Sequence, residues 1–221
     1  RNSDMPEFFA ELWNARGQLA EGLATTVGVS AIAIIAGTIV GLLIGTGLVF
    51  GWRPLRWLLR AYVDIIRGTP VLVLILATFY ILAVFGIQFS ALGSGMFALS
   101  LFCAAHLGEV FRGALQAVPA TQVEAGKGLG LLRAKFLLLI VAPQARRKTW
   151  PGWTNPAVEI VKASTLLSII GVGELLLKTQ EIAGRTFLTL EFYLFAGLLY
   201  FAVNFLIERL GKRVERRLAV G

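Results

Sequence analysis

Reactive side chains are scarce in this chain. It has one cysteine, Cys103, and one histidine, His106. A disulfide framework needs cysteine pairs, and Cys103 lies inside an apolar run, where it reads as a small packing residue. One His and one Cys are too few to read a metal-ligand cluster or a nucleophile–base pair. No Gly-x-x-x-x-Gly-Lys-Ser/Thr stretch occurs, so the chain lacks the loop that cradles nucleotide phosphates. Enzymatic activity within the chain is not expected. Acidic residues are outnumbered, 13 Asp and Glu against 21 Lys and Arg. The resulting net charge of +8 would suit nucleic acid, but no recognition motif for nucleic acid is present. The most informative absence is that of charge itself. Residues Gly22–Trp52 carry none, and neither do Gly68–Gly108.

Those charge-free runs set the class. A helix needs about 20 apolar residues to cross a bilayer, and 57% of this chain is hydrophobic. The reading is an all-α integral membrane protein, one domain over residues 1–221, with five transmembrane helices. The first run is too long for the core of a cleavable signal and is followed by others. Residues 1–21 are expected as an interfacial segment, with Phe8, Phe9, Leu12 and Trp13 on one helical face. The spans are expected at about Leu23–Phe50, Pro70–Phe85, Met96–Arg112, Pro156–Leu177 and Leu190–Ile207. Thr69 is expected as N-cap of the second span, with Pro70 as its first helical residue. Pro151-Gly152 is expected to reset the chain, and Thr179–Leu188 to form an outer loop. Gly37, Gly41 and Gly45 recur every four residues, the spacing that lets two helices approach closely in lipid. The contact is either internal or with a second copy.

Five spans place the two termini on opposite sides. With the N-terminus outside, the inner segments collect fifteen Lys and Arg and the outer ones four. Loops on the cytoplasmic side carry such an excess. This puts residues 118–147 in the cytoplasm. They are the one long segment between apolar runs that is neither turn nor tail. Thr121 is a plausible N-cap, with Glu124 three residues on as in a capping box. Gly126, Gly128 and Gly130 break that helix, since each glycine costs about 1 kcal/mol against alanine. A second amphipathic run, Leu131–Ala142, ends before Pro143. The outline is helix, sharp turn, helix, a shape for docking into a partner's groove.

Glu124-Ala125-Gly126, three further residues, Gly130, nine further residues, then Ile140 with Pro143 three places on: this resembles the EAA loop of ABC importer membrane subunits. The resemblance covers nearly the whole chain, from about Gly22 to Leu218. IRGTP at Ile66–Pro70, EVFRGALQAVP at Glu109–Pro119, KASTLLSIIGVGELL at Lys162–Leu176, TQEIAGRTF at Thr179–Phe187 and the basic stretch from Glu208 are similar to the polar amino acid uptake family. The resemblance implies a permease subunit in a prokaryotic cytoplasmic membrane, working by alternating access. It implies partners: ABC ATPase subunits that bind ATP-Mg and grip the coupling loop, a second permease subunit, identical or paralogous, and an extracytoplasmic substrate-binding protein. Membrane lipid surrounds the spans, and no cofactor is expected in this chain. The chain departs from the family at Ala163, where Asp is common, at Leu74 (Gln), at Phe102 (Asn), at Leu131 (Ser or Thr) and at Ala142 (Leu).

Intramembrane charge is costly, about 2.5–3.5 kcal/mol at a helix centre on insertion scales. The charged and polar residues in or beside the spans are therefore the candidates for a substrate path: Asp64, Arg67, His106, Glu109, Glu159, Lys162, Ser164 and Thr165. Asp64 and Arg67 stand three apart, as do Glu109 and Arg112, and such pairs meet on a helix face. Pairing at the cytoplasmic rim is the alternative to lining the path. Glu159 and Lys162 are also three apart, and Glu159 is expected to supply Lys162 with a counter-charge. His106 is expected to make a satisfied hydrogen bond. Two other functions remain open at this point: a non-transporting scaffold or sensor bound to an ATPase, and a permease for another small polar solute. An ion-coupled secondary transporter is disfavoured by the coupling motif and the five spans.

Overall fold

The computed structural model describes residues 4–87, 89–119, 121–122, 128 and 142–219. Among these the regular elements are all helical. They are α1 (Asp4–Phe50), α2 (Arg53–Gly68), α3 (Val71–Val84), α4 (Ala91–Gln116), α5 (Ala142–Ala163), a 3-10 helix (Ser164–Ile170), α6 (Leu175–Thr186) and α7 (Thr189–Ala219). Among the described residues three helices are long and apolar enough to cross a membrane: α1, α4 and α7. Two further pairs pass the same test when a bent pair is taken together, α2 with α3, and Arg147–Ile170 with α6, giving up to five spans. In lipid every polar group must find an internal partner. The threonines in these helices satisfy this by donating back one turn: Thr38 to Ile34 O at 2.6 Å, Thr46 to Leu42 O at 2.8 Å and Thr78 to Leu74 O at 2.9 Å.

Several boundaries differ from those expected. The N-terminal segment is the start of α1, which runs unbroken for 47 residues. Alanine, leucine and glutamate dominate residues 7–24 and favour helix, so nothing there ends one. Thr69 closes α2 instead of capping α3, and its hydroxyl donates to Ile65 O at 2.7 Å. Helix α5 continues through Pro151 and Pro156. Thr179–Leu188 is mostly α6, because Glu174 caps a new helix where hydropathy saw only a polar loop.

The chain forms two compact units. The first comprises residues 1–33, 71–99 and 158–206. Its core joins the start of α1 (Ala15, Leu19) to α6 (Leu175, Ile182, Ala183) and α7 (Phe192, Ala196). Phe8 meets Phe192 edge-on at 5.3 Å. At the break before α6, Gly171 adopts φ 80°, a left-handed turn that glycine tolerates without strain. The Val172 N–H returns to Leu167 O at 3.1 Å, closing the end of the 3-10 helix.

The second unit comprises residues 34–70, 100–157 and 207–221. Its spine is the glycine stripe. A Cβ on Gly37 would lie 2.5 Å from Cys103 Cβ, on Gly41 2.9 Å from Leu107 Cβ, and on Gly45 2.6 Å from Phe111 Cβ. Backbone therefore packs on α4, and the stripe serves an internal contact. On the opposite side of α1, Ile35, Ile39 and Leu43 are exposed, as a lipid-facing side should be. Two stacked tryptophans tie α5 in place: Trp153 Nε1 donates to Thr38 Oγ1 at 2.9 Å, and Trp150 Nε1 to Gly211 O at 2.8 Å. Helix α2 lies against this frame through buried Val63 and through Tyr62, whose hydroxyl donates to Leu101 O at 2.7 Å.

Candidate functional site

Glu109 is the centre of an ion cluster within the second unit. It projects from α4 with only 14% of its side chain exposed. Arg112, three residues on, donates from Nε to Glu109 Oε1 at 3.1 Å and from Nη2 to Oε2 at 2.7 Å, the side-on geometry that suits a planar guanidinium. Arg60 on α2 also reaches Oε1, at 2.8 Å, and Arg67 approaches Oε2 to 4.0 Å. Asp64 pairs with Arg60 at 3.0 Å, one helical turn back, and not with Arg67 as expected. The physical reason is competition: Arg67 turns to the more enclosed carboxylate, and the short Asp64 side chain meets the i−4 arginine. The cluster thus joins α2 to α4. His106 sits one turn before Glu109 but outside these contacts; its Nδ1 lies 3.0 Å from Phe102 O and its ring 4.2 Å from the Phe102 ring.

The remaining substrate-path candidates, Glu159, Lys162, Ser164 and Thr165, lie in the first unit. Glu159 and Lys162 on α5 are both exposed, and no hydrogen bond or ion pair joins them. The expected counter-charge pairing is therefore absent. An exposed pair is worth about 0–1 kcal/mol, too little to hold two long side chains together. Ser164 is fully buried and donates to Val161 O at 2.8 Å, while Thr165 donates to Lys162 O at 2.7 Å. Both hydroxyls thus satisfy the turn where α5 tightens into the 3-10 helix. Pro143 stands in the first turn of α5, where proline is tolerated. Glu124, Ala125, Gly126, Gly130 and Ile140 lie outside the described residues.

Sequence reasoning passed over a second buried carboxyl. Glu174 is 0% exposed. It caps α6 by accepting from Leu177 N at 2.8 Å and Leu176 N at 3.0 Å. Tyr200 on α7 donates to it at 2.5 Å, and Thr26 on α1 at 3.5 Å. Thr26 Oγ1 also accepts from Leu175 N at 3.1 Å. One side chain thereby fastens three helices of the first unit. The available signal was an acidic residue after Gly171-Val172-Gly173 and immediately before an apolar run, the pattern of a helix N-terminus.

A set of long apolar helices with polar clusters held internally defines a polytopic membrane protein, and comparison places it. Residues 37–220 match the family described as binding-protein-dependent transport system inner membrane component. The chain is 34% identical over 201 residues to the L-cystine transport system permease protein of Bacillus subtilis, covering 90% of this chain and 86% of that one. It is 34% identical over 228 residues to the octopine transport system permease protein of Rhizobium radiobacter, covering 96% and 90%. A chain from the crystal structure of an amino acid ABC transporter with histidines superposes with a TM-score of 0.87 at 28% identity, covering 95% of this chain and 98% of that one. The chain belongs to the family of binding-protein-dependent transport system inner membrane components. It is a permease subunit of an ABC importer, a membrane transport component of a family in which a separate subunit hydrolyses ATP.

Proposed function

We infer that the cargo is an amino acid or a close derivative of one. The observation that carries this is the relatives' breadth: permeases for cystine, arginine and octopine each align over nine-tenths or more of this chain at 30% identity or above. All three cargoes carry an α-amino acid unit. In this reading two permease subunits, identical or paralogous, face each other, and a binding protein outside delivers the cargo. The N-terminus is outside and the C-terminus cytoplasmic, in keeping with the charge bias. The stretch 118–147 docks in an ATPase that binds ATP-Mg, through Glu124–Gly126, Gly130, Ile140 and Pro143.

Glu159 and Lys162 belong to the path in this reading. What supports it is their exposure without partners among the described residues. Exposed to lipid they would be costly, so a polar path or a second subunit is the better setting. Uptake of radiolabelled amino acids into proteoliposomes holding the complete transporter tests both points. Lys162→Ala is expected to reduce uptake several-fold with assembly intact, and Glu159→Gln to change the cargo preference. Normal uptake and an unchanged profile in the double variant would remove these residues from the path. Absence of uptake for every amino acid offered would remove the cargo class.

A further inference from the structure

We propose that the arginine-lined cavity at the start of α2 binds the phosphate headgroup of an anionic phospholipid, of the phosphatidylglycerol class. Arg53, Arg56 and Arg60 follow one another at i, i+3 and i+7, so they share one face of α2. With Arg112, Trp57 and Gln116 they surround a cavity of ≈ 460 Å³. Arg60 and Arg112 spend their charge on Glu109. The side chains of Arg53 and Arg56 have no hydrogen bond or ion pair among the described residues. Four arginines (53, 56, 60 and 112) line the cavity; with the ion cluster they join, which adds Arg67, Asp64 and Glu109, there are five arginines against two carboxylates, an excess of three positive charges. Such an excess, unneutralised among the described residues, calls for an anion.

The position selects the source of that anion. The arginines begin directly after the charge-free run of α1 ends at Trp52, which puts them at the rim of the hydrocarbon. Trp52 is 73% exposed, Trp57 78% and Leu58 68%. Exposed tryptophans favour the headgroup level of a bilayer. A lipid would place its phosphate among the arginines and its acyl chains along Trp57 and Leu58. A soluble phosphate would leave those rings uncovered. Basic pockets beside spans on the cytoplasmic side bind anionic headgroups in this way. The proposal rests on the membrane reading of α1 and α2, not on the cargo.

The test uses the complete transporter, ATPase included, in nanodiscs of phosphatidylcholine with or without phosphatidylglycerol. Lipid retained after detergent exchange is counted by mass spectrometry. Each basic residue near an anionic surface contributes about 1 kcal/mol, so Arg53→Gln with Arg56→Gln is expected to weaken phosphatidylglycerol retention roughly 30-fold. Arg53→Lys with Arg56→Lys is expected to keep most of it. A second measurement needs no variant: phosphatidylglycerol brominated on its acyl chains should quench tryptophan fluorescence more than brominated phosphatidylcholine does. Equal retention by the double Gln variant, or equal quenching by the two lipids, would overturn the proposal. So would displacement of phosphatidylglycerol by inorganic phosphate, which would make the site one for free anion. Loss of the ATPase with lipid still bound would assign the surface to that subunit instead. Neither cargo nor ATP turnover enters these measurements, so lipid binding and uptake succeed or fail separately.

Discussion

Glu174→Ala is expected to loosen the first unit more than any other single loss of a polar side chain there. The carboxyl caps α6, and removing an N-cap costs about 1 kcal/mol. It also receives Tyr200 at 2.5 Å and, at the outer limit of a hydrogen bond, Thr26 at 3.5 Å. Interhelical hydrogen bonds in membrane proteins average about 0.6 kcal/mol and reach about 1.7. The sum is about 2 kcal/mol, rising towards 4 if the buried Tyr200 hydroxyl finds no new acceptor. Glu174→Gln keeps one acceptor oxygen and should cost about half as much. Tyr200→Phe should cost about 0.6–1.7 kcal/mol. The assay is unfolding of the purified transporter followed by intrinsic fluorescence, with Glu181→Ala as control. The Glu181 side chain is 53% exposed and among the described residues pairs only with Lys178, at 3.5 Å, so its loss should stay below about 0.5 kcal/mol. Because Glu174 and Tyr200 touch, their double variant should be less damaging than the sum of the singles. A Glu174→Ala protein within about 0.5 kcal/mol of the parent, or an additive double variant, would refute the clamp.

Other expectations follow from the same contacts. Gly45→Ala would set a Cβ 2.6 Å from Phe111 Cβ and 2.9 Å from Gly108 O, so it should destabilise by about 1–3 kcal/mol, whereas Gly28→Ala, with nothing within 4 Å, should be neutral or slightly stabilising in the same unfolding assay. Glu109→Gln should cost about 1–2 kcal/mol, below the 3–5 of a fully buried pair because Arg60 and Arg67 are nearly half exposed; Asp64→Asn should cost less, since Asp64 is 55% exposed and among the described residues meets Arg60 alone. A cysteine at Arg185 should label from outside intact cells and one at Thr121 should not; external labelling at Thr121 would reverse the proposed orientation. Gly130→Trp should release the ATPase during purification with insertion unchanged, and co-purification at full yield would reject the coupling role of that turn.

What the sequence showed well was what periodicity and charge control. The charge-free runs located α1 and α4, and the four-residue glycine spacing pointed to a close helix contact. Spacing alone did not choose between an internal contact and a second copy. That choice needed α4, whose Cys103, Leu107 and Phe111 meet the stripe. The pairing of Glu109 with Arg112 was legible because three residues on a helix fix the geometry. The roles of Arg60 and Glu174 were not, because their partners lie 49 residues away at Glu109 and 26 away at Tyr200. Proline misled for a different reason. Pro151 read as a break and Pro156 as the start of a span, yet α5 passes through both, and tertiary contacts outweigh the cost. Trp150 and Trp153, spaced around Pro151, anchor the helix to Gly211 and Thr38, and Gly152 admits Val110 with a 2.8 Å approach to where a Cβ would stand.

The second unit is arranged so that movement at one end of it is shared by several helices. At the end of α4, Ala114, Leu115 and Val118 cluster with Ala145 of α5. Lys148 donates to Ala117 O, and Gln144 to Gln122, so the two ends of the 118–147 stretch are tied side by side. A displacement of that stretch therefore reaches α4 and α5 together. From α4 it passes to α1 through backbone contact at Gly41 and Gly45, where no long side chain stands between to absorb it. It passes to α2 through Glu109, which grips Arg60, Arg67 and Arg112 at once. Close-packed interiors transmit strain in place of dissipating it. If the stretch is the element an ATPase moves, α2, the start of α5 and the parts of α1 and α4 that belong to the second unit respond together, with the charged cluster at Glu109 as one of their fastenings.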